Sequence, residues 1–192
     1  TLAVFLGSGG HTAEMFRLIA PLSEDIYTKR KYLVSAGDII SLSKIQQFER
    51  ERQSLPGLQY SVFVIPRARR VHQSFFTAPF TTSWSLAHCL FVVAIQPILS
   101  GERAFADVVL LNGPGSCVPI AIAAHLPRLF LYRSPKVVYI ESIARITSLS
   151  LSAKILRSLN LVDELWVQWD ELATKLNQKS RKNKVLCDGW LI

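Results

Sequence analysis

The chain has 192 residues, with 22 Lys and Arg against 14 Asp and Glu, a formal charge of +8, and 49% hydrophobic residues. That length allows one α/β domain with a sizeable core and excludes two full ones. Cys89, Cys117 and Cys187 are odd in number, scattered and without a C-x-x-C pair, which excludes a disulfide framework and a zinc site and makes reduced, cytosol-facing thiols the default.

Leu2 to Leu6 reads as a buried strand from the start, so a natural N-terminus upstream of Thr1 is expected. A glycine cluster follows, then a helical pattern over Ala13 to Leu22. Lys31 to Ser35 is a second strand, and Ile39 to Arg52 a helix, apolar at Ile39, Leu42, Ile45 and Phe48. Ser61 to Ile65 is a third strand, stopped by Pro66, and Asp107 to Leu111 a fourth. Ser116 to Leu126 reads as an apolar helix, Val137 to Ile140 as a strand and Leu149 to Leu159 as a helix. Leu165 to Gln168 is a sixth strand and Asp170 to Asn177 the last helix. The strands are continuous apolar runs alternating with helices, which predicts a Rossmann-like parallel sheet with helices on both faces, in one domain over residues 1–192.

Residues 71–101 hold no Asp, Glu, Lys or Arg. Only Leu86 to Ile95 is densely apolar, ten residues against the roughly 20 that a membrane span needs. It is read as the crossover helix between the third and fourth strands, packed in the core in preference to dipping into a bilayer surface. The chain is nonetheless apolar, with a mean hydropathy of +0.26, and basic, with a pI near 9.7. Its cations gather in knots at Lys29, Arg30 and Lys31, at Arg67, Arg69 and Arg70, and at Lys179, Arg181, Lys182 and Lys184. Any one knot has a solvated face as its plain reading. Together they favour an anionic partner: nucleic acid, an acidic leaflet or a phosphorylated substrate.

The first strand runs into Gly7-Ser8-Gly9-Gly10-His11-Thr12 and then a helix, an arrangement that presents free N–H groups and the positive end of the helix dipole to an anion. It lacks the Gly-Lys-Ser/Thr ending of a nucleotide P-loop, and Thr12 falls where a dinucleotide fingerprint has its third glycine. Asp38, after the second strand, leaves a nucleotide ribose open. A similar signal recurs at Asn112-Gly113-Pro114-Gly115-Ser116 after the fourth strand, and Glu141, Ser142 and Arg145 follow the fifth. In a parallel sheet these clusters, with Asp38 and Arg67, converge on the edge where ligands bind.

Several of these segments resemble one family. They are Phe-Leu-Gly-Ser-Gly-Gly-His-Thr-Ala-Glu-Met at Phe5 to Met15, Ile-Pro-Arg-Ala-Arg at Ile65 to Arg69, Asn-Gly-Pro-Gly-Ser-Cys-Val-Pro-Ile at Asn112 to Ile120 and Tyr-Ile-Glu-Ser-Ile-Ala-Arg at Tyr139 to Arg145. Leu-Ser-Leu-Ser-Ala-Lys-Ile-Leu at Leu149 to Leu156 and Val-Gln-Trp at Val167 to Trp169 complete the set. The family is the membrane-anchoring subunit of the dolichol-pathway UDP-N-acetylglucosamine transferase, asparagine-linked glycosylation protein fourteen. The likeness covers nearly the whole chain in order. The first loop is also similar to that of the bacterial peptidoglycan GlcNAc transferase, where it faces a lipid diphosphate. Ser116 stands where Thr is expected, and the family's N-terminal membrane anchor has no counterpart in these residues.

The resemblance implies the N-terminal, acceptor-side half of a split GT-B glycosyltransferase on the cytosolic face of the endoplasmic reticulum membrane. A separate donor-binding catalytic subunit would carry UDP-GlcNAc, and the pair would add the second GlcNAc to dolichol-linked GlcNAc diphosphate; this chain would be inactive alone. Nucleic acid is not among the implied partners. The acceptor diphosphate is assigned to Gly9, Gly10, His11 and Thr12, with Asn112, Gly113, Gly115 and Arg145, and with Arg67 or Arg69 as further sources of charge. An inverting transfer needs a base near the acceptor hydroxyl; His11 and Glu141 are the catalytic candidates and Asp38 a third. The structural alternatives are a helix cap for His11 and an ion pair with Arg145 for Glu141. No Asp-x-Asp or His/Cys ligand spacing occurs, so neither a metal nor a cofactor is expected.

The apolar tail Val185 to Ile192 either packs back on the domain or docks the donor subunit. Two rival functions stay open on sequence: a recruitment scaffold that holds no substrate, and a nucleotide-dependent oxidoreductase using the glycine loop and Asp38.

Overall fold

The structure, a computed structural model, describes residues 1–23, 25–52, 59–69, 73, 76–179 and 184–189. Seven strands form one sheet: β1 (Leu2–Leu6), β2 (Lys29–Ser35), β3 (Gln59–Ile65), β4 (Val108–Leu111), β5 (Lys136–Ile140), β6 (Glu164–Trp166) and β7 (Val185–Leu186). Their order is β3-β2-β1-β4-β5-β6-β7, and every neighbouring pair is parallel. Strand order reverses between β1 and β4, and a parallel sheet opens a crevice at such a point beyond its carboxyl ends. The expected Rossmann-like architecture is what the chain adopts.

Alternation of side chains along β1 shows how the sheet is covered on both faces. Leu2, Val4 and Leu6 join Met15, Leu18 and Ile19 of α1 (Gly10–Ile19) and Ile45 of α2 (Ile39–Arg52) in one core cluster. Ala3 and Phe5 point the other way, into a larger cluster. That second layer is built from α3 (Ala78–Cys89), a π-helical stretch (Leu90–Ile95), α4 (Gln96–Leu99), α5 (Cys117–Leu129), α6 (Leu151–Ser158) and α7 (Asp170–Lys179). Because central strands are buried on both faces, their sequences lack a polar alternation, and this is why β1 and β5 were legible as apolar runs.

Helix boundaries move by a few residues. Helix α1 begins at Gly10, before the apolar periodicity does, because Gly9 serves as its N-cap. Helix α5 runs on through Pro127. Helix α6 starts at Leu151 because the Ser150 hydroxyl accepts the Ala153 N–H and ends the preceding loop.

Two corrections are larger. The crossover is a continuous 22-residue helix, Ala78–Leu99, and not a ten-residue one. Its polar first half is helical because the hydroxyls have carbonyl partners outside the helix: Thr81 and Thr82 donate to Ala68 O (2.7 and 3.0 Å) and Ser85 to Pro66 O (2.6 Å). It is long and apolar enough to cross a bilayer, with a mean hydropathy of 1.5 over its best window, of which 33% is buried. Ser85, Cys89, Val92 and Val93 are in the core, while Phe80, Trp84, Phe91, Ile95 and Leu99 lie on solvent. Core packing therefore accounts for one face only. The second correction is β7: Val185 is buried beside β6, so the start of the apolar tail packs back on the domain. Residues 190–192, with Arg70 and most of the basic knot at 179–184, lie outside the described residues or have undescribed side chains.

Candidate functional site

After β1 the chain makes a strained turn. Ser8 and Gly9 both have positive φ (68° and 58°), and Gly9 caps α1 with φ 58° and ψ −127°. Gly9 and Gly10 are exposed, and a Cβ built on Gly10 would meet nothing within 4 Å. The first-turn N–H groups of α1 have no intrahelical acceptor and open onto this space. His11 follows, with its side chain about one-third exposed. Thr12 turns inward and is buried. Its hydroxyl meets Ser41 Oγ at 2.7 Å, and Ser41 in turn donates to Asp38 Oδ2 at 2.6 Å. The other Asp38 oxygen accepts the Ser41 N–H at 3.1 Å. Thr12 and Asp38 thus tie α1 to the start of α2, with their polar atoms committed to each other's supports and not to the loop opening.

The loop after β4 looks similar in sequence and is built differently. Asn112 is fully buried and Gly113 has φ 99°. A Cβ at Gly113 would fall 2.5 Å from the His11 ring, so glycine is required both by backbone conformation and by the imidazole lying on it. Pro114 closes against Gly7 in the same way, leaving no room for a Cβ there. The first N–H groups of α5 are already used: Cys117 donates to Pro114 O (3.0 Å) and Val118 to Gly115 O (3.1 Å). Ser116 Oγ accepts the Ala68 N–H at 3.1 Å, a role the hydroxyl of Thr would fill equally. Gly115 stays exposed at the rim.

Between the loops a polar network fixes His11. Asn112 Nδ2 donates to Glu14 Oε2 (3.0 Å), which leaves Asn112 Oδ1 as the acceptor facing His11 Nδ1 at 2.8 Å. Ser142 Oγ donates to the other Glu14 oxygen at 2.7 Å. Glu14 Oε2 also lies 3.8 Å from His11 Nδ1. Glu141 is 1% exposed and accepts the backbone N–H groups of Ser142 (3.1 Å) and Ser150 (2.7 Å). Tyr139 hydrogen-bonds Gly113 O (3.2 Å) and meets Ser150 Oγ (3.1 Å). Burial pushes its phenol well above the ordinary range, so it remains a protonated donor.

These groups border a cleft of about 430 Å³ lined by His11, Gly113, Glu141, Ser142, Arg145 and Ser150 among others. The structure brings His11, Asn112, Gly113, Glu141 and Arg145 together, with Gly9 and Gly10 at the adjoining helix start. Arg145 is exposed, and among the described residues its guanidinium makes no hydrogen bond or ion pair, including with Glu141. Arg67 and Arg69 do not line the cleft; Arg67 donates to Ala36 O (3.1 Å) and Arg69 to Gln73 O (2.8 Å). Sequence reasoning missed Glu14. Its signal was spacing: three residues after His11 on one helix, it shares that residue's face. Among the described residues no group of three His, Cys, Asp or Glu side chains could hold a metal ion.

Residues 2–185 match the family described as Oligosaccharide biosynthesis protein Alg14 like. The chain is 44% identical over 174 residues to the UDP-N-acetylglucosamine transferase subunit alg14 of Schizosaccharomyces pombe, covering 91% of this chain and 78% of that protein. It is 39% identical over 178 residues to the subunit of that name from Rattus norvegicus (91% and 77% covered) and 38% identical over 179 residues to the one from Homo sapiens (91% and 78%). With its glycine loops, His11 and Glu141 all inside the matched span, the chain belongs to the Alg14 family.

Proposed function

We propose that this chain is a subunit of a UDP-N-acetylglucosamine transferase, and that its cleft takes a lipid-diphosphate sugar acceptor. It is the N-terminal, acceptor-side half of a split GT-B enzyme, a single domain over residues 1–192. A separate catalytic subunit binds UDP-GlcNAc, and the pair transfers the second GlcNAc onto GlcNAc-diphospho-dolichol. The observation that carries this reading is the cleft at the β1/β4 crevice. It sets the His11 imidazole and the Arg145 guanidinium around one space, beside the open N-terminus of α1. Backbone N–H groups at Gly10 and His11 suit a diphosphate, with the α1 dipole adding about 0.3–1 kcal/mol per anion. Arg145 supplies a charge-assisted contact from the opposite loop.

The candidate bases differ in what their atoms are already doing. Both Glu141 oxygens hold backbone N–H groups, which makes Glu141 the residue that shapes the 141–150 loop. Asp38 is occupied at Ser41. His11, with Nδ1 on Asn112, keeps Nε2 for the acceptor hydroxyl. In the transfer, Nε2 takes the hydroxyl proton as the oxygen attacks the sugar's anomeric carbon. The bond from that carbon to the diphosphate breaks, and UDP leaves with the electron pair, inverting the centre.

The exposed face of Ala78–Leu99 supports a seat on the cytosolic side of the endoplasmic reticulum membrane, where both the acceptor and the recruited donor subunit would meet this chain. The test is reconstitution with the donor subunit on a lipid-diphosphate acceptor. No transfer is expected from this chain alone. His11→Ala is expected to keep the complex intact and to lower kcat by roughly 10²–10⁴. Transfer that survives this substitution within a factor of two would return the chain to the role of a recruitment scaffold.

A further inference from the structure

We infer that Glu14 is a positioning residue for the transfer, acting on His11 through Asn112. This inference rests on the reading of His11 as the base. Asn112 is 0% exposed and its amide orientation is fixed by chemistry: a carboxylate oxygen only accepts, so the end meeting Glu14 Oε2 at 3.0 Å is the NH₂. The oxygen end then faces His11 and can only accept, so the ring nitrogen 2.8 Å away carries the proton. A neutral His11 held in this way has its lone pair on Nε2. Glu14 selects the tautomer without touching the reacting atoms.

The same carboxylate has a second consequence. When Nε2 takes the acceptor proton the ring becomes a cation, and Glu14 Oε2 lies 3.8 Å from its Nδ1. The charge that develops in the transition state therefore has an anionic neighbour already in place, requiring no rearrangement. Glu14 is itself held: Ser142 Oγ donates to its other oxygen at 2.7 Å, and its side chain is 15% exposed. One residue thus links the helix start, the β4 loop and the β5 loop. The ring also packs directly on the backbone of Gly113, where a Cβ would fall 2.5 Å from it.

The experiment has two arms. The first is ¹⁵N NMR of the imidazole nitrogens in the chain alone, which needs no activity. His11 is expected to show a protonated Nδ1 and a bare Nε2 when neutral, the minor tautomer of free histidine. Glu14→Gln is expected to mix the tautomers, since the neutral amide no longer dictates which way Asn112 faces. The second arm is steady-state transfer with the donor subunit. Glu14→Gln is close in shape to the wild type and is expected to lower kcat about 10–100-fold with the acceptor KM within a factor of two.

A neutral His11 carrying its proton on Nε2 in the wild-type chain overturns the inference, as does unchanged kcat in Glu14→Gln. If Glu14→Gln loses thermal stability, Ser142→Ala separates the effects, because it removes one anchor of Glu14 while leaving the carboxylate and the Asn112 link in place. Loss of kcat as large in Ser142→Ala as in Glu14→Gln assigns Glu14 a merely structural role. Full transfer by His11→Ala overturns the base reading itself, and the NMR arm tells that failure apart from failure of the tautomer assignment.

Discussion

The two glycine loops share a location and a vocabulary but do opposite work. The loop after β1 ends in a helix whose first N–H groups are open, and Gly10 has free space where a Cβ would be. The loop after β4 turns inward: its N–H groups close on Pro114 and Gly115, its serine holds the Ala68 N–H, and its asparagine is buried under His11. One loop leaves its helix-start N–H groups open. The other turns the first N–H groups of its helix inward and holds the His11 ring. Glycine leaves open space in the first and permits close packing in the second, and only the surroundings of each residue separate the two uses.

Breaking the closed loop should have the largest effect. Gly113→Ala puts a methyl 2.5 Å from the imidazole at a φ of 99°. The backbone strain alone costs about 1–3 kcal/mol. The ring must also leave its Asn112 partner, so transfer is expected to fall by more than about 100-fold, with a lower Tm in thermal melts. Gly10→Ala is the matched control in the open loop. It has room for the methyl, and alanine is a better helix former, so stability should hold or rise slightly. Its expected penalty, a rise of about tenfold in acceptor KM, would come only from crowding the diphosphate. Equal Tm losses in the two variants would erase the distinction between the loops.

Arg145 sharpens the same contrast from across the cleft. It is exposed and makes no side-chain bond among the described residues, so Arg145→Ala should leave thermal stability unchanged. A charge-assisted hydrogen bond is worth about 1.5–3 kcal/mol. The acceptor KM should accordingly rise about 10–100-fold in the reconstituted enzyme, with kcat changed far less. An unchanged KM would remove Arg145 from the acceptor site.

The helix Ala78–Leu99 carries the third effect. Trp84 is 68% and Phe80 80% exposed, so Trp84→Glu and Phe80→Glu should be neutral for folding and weaken binding to neutral phospholipid vesicles in flotation, each by several-fold. If both variants float as well as the wild type, this face is not the membrane seat.

How much of this could be read without coordinates follows the same division between open and closed. The sheet was legible because strands buried on both faces are unbroken apolar runs, and the position of the loops follows from parallel topology alone. The first loop, His11, Glu141 and Arg145 were legible as chemistry near one edge. Illegible were the roles that depend on who faces whom. Thr12 and Asp38 looked available in sequence, yet they satisfy each other through Ser41. Glu14 looked like an ordinary helix carboxylate until the β4 and β5 loops were laid against it. The crossover helix was underestimated because Thr81, Thr82 and Ser85 are polar. Their carbonyl partners lie in the 66–68 segment, a contact no local pattern encodes. The two-residue β7 was missed because so short a strand has no period to detect.

The smallest expected effect lies at the opposite edge of the sheet, where a polar cluster is satisfied within itself as the second loop is. Arg128 grips both oxygens of Asp163 (2.8 and 2.7 Å), and Asp163 Oδ2 also accepts the Val137 N–H at 2.7 Å. Burial alone would raise the Asp163 carboxyl, but the Arg128 hydrogen bonds and the Val137 N–H overcome it and hold it below its ordinary value of 3.8. A carboxyl lowered by folding stabilises the folded state in full above its unfolded value, and that contribution is lost as pH falls from about 4 through the lowered folded value. The Arg128 and Asp163 side chains are 35% and 28% exposed, so solvent screening limits the pair to about 1 kcal/mol. Arg128→Ala should therefore lower stability by about that much at pH 7 and make the urea midpoint less steep in pH below 4. Transfer at neutral pH should not change, since this edge lies outside the cleft. A large loss of transfer in Arg128→Ala would mean that the closed regions of the sheet are coupled to the open one, and that the two loops cannot be treated as separate parts.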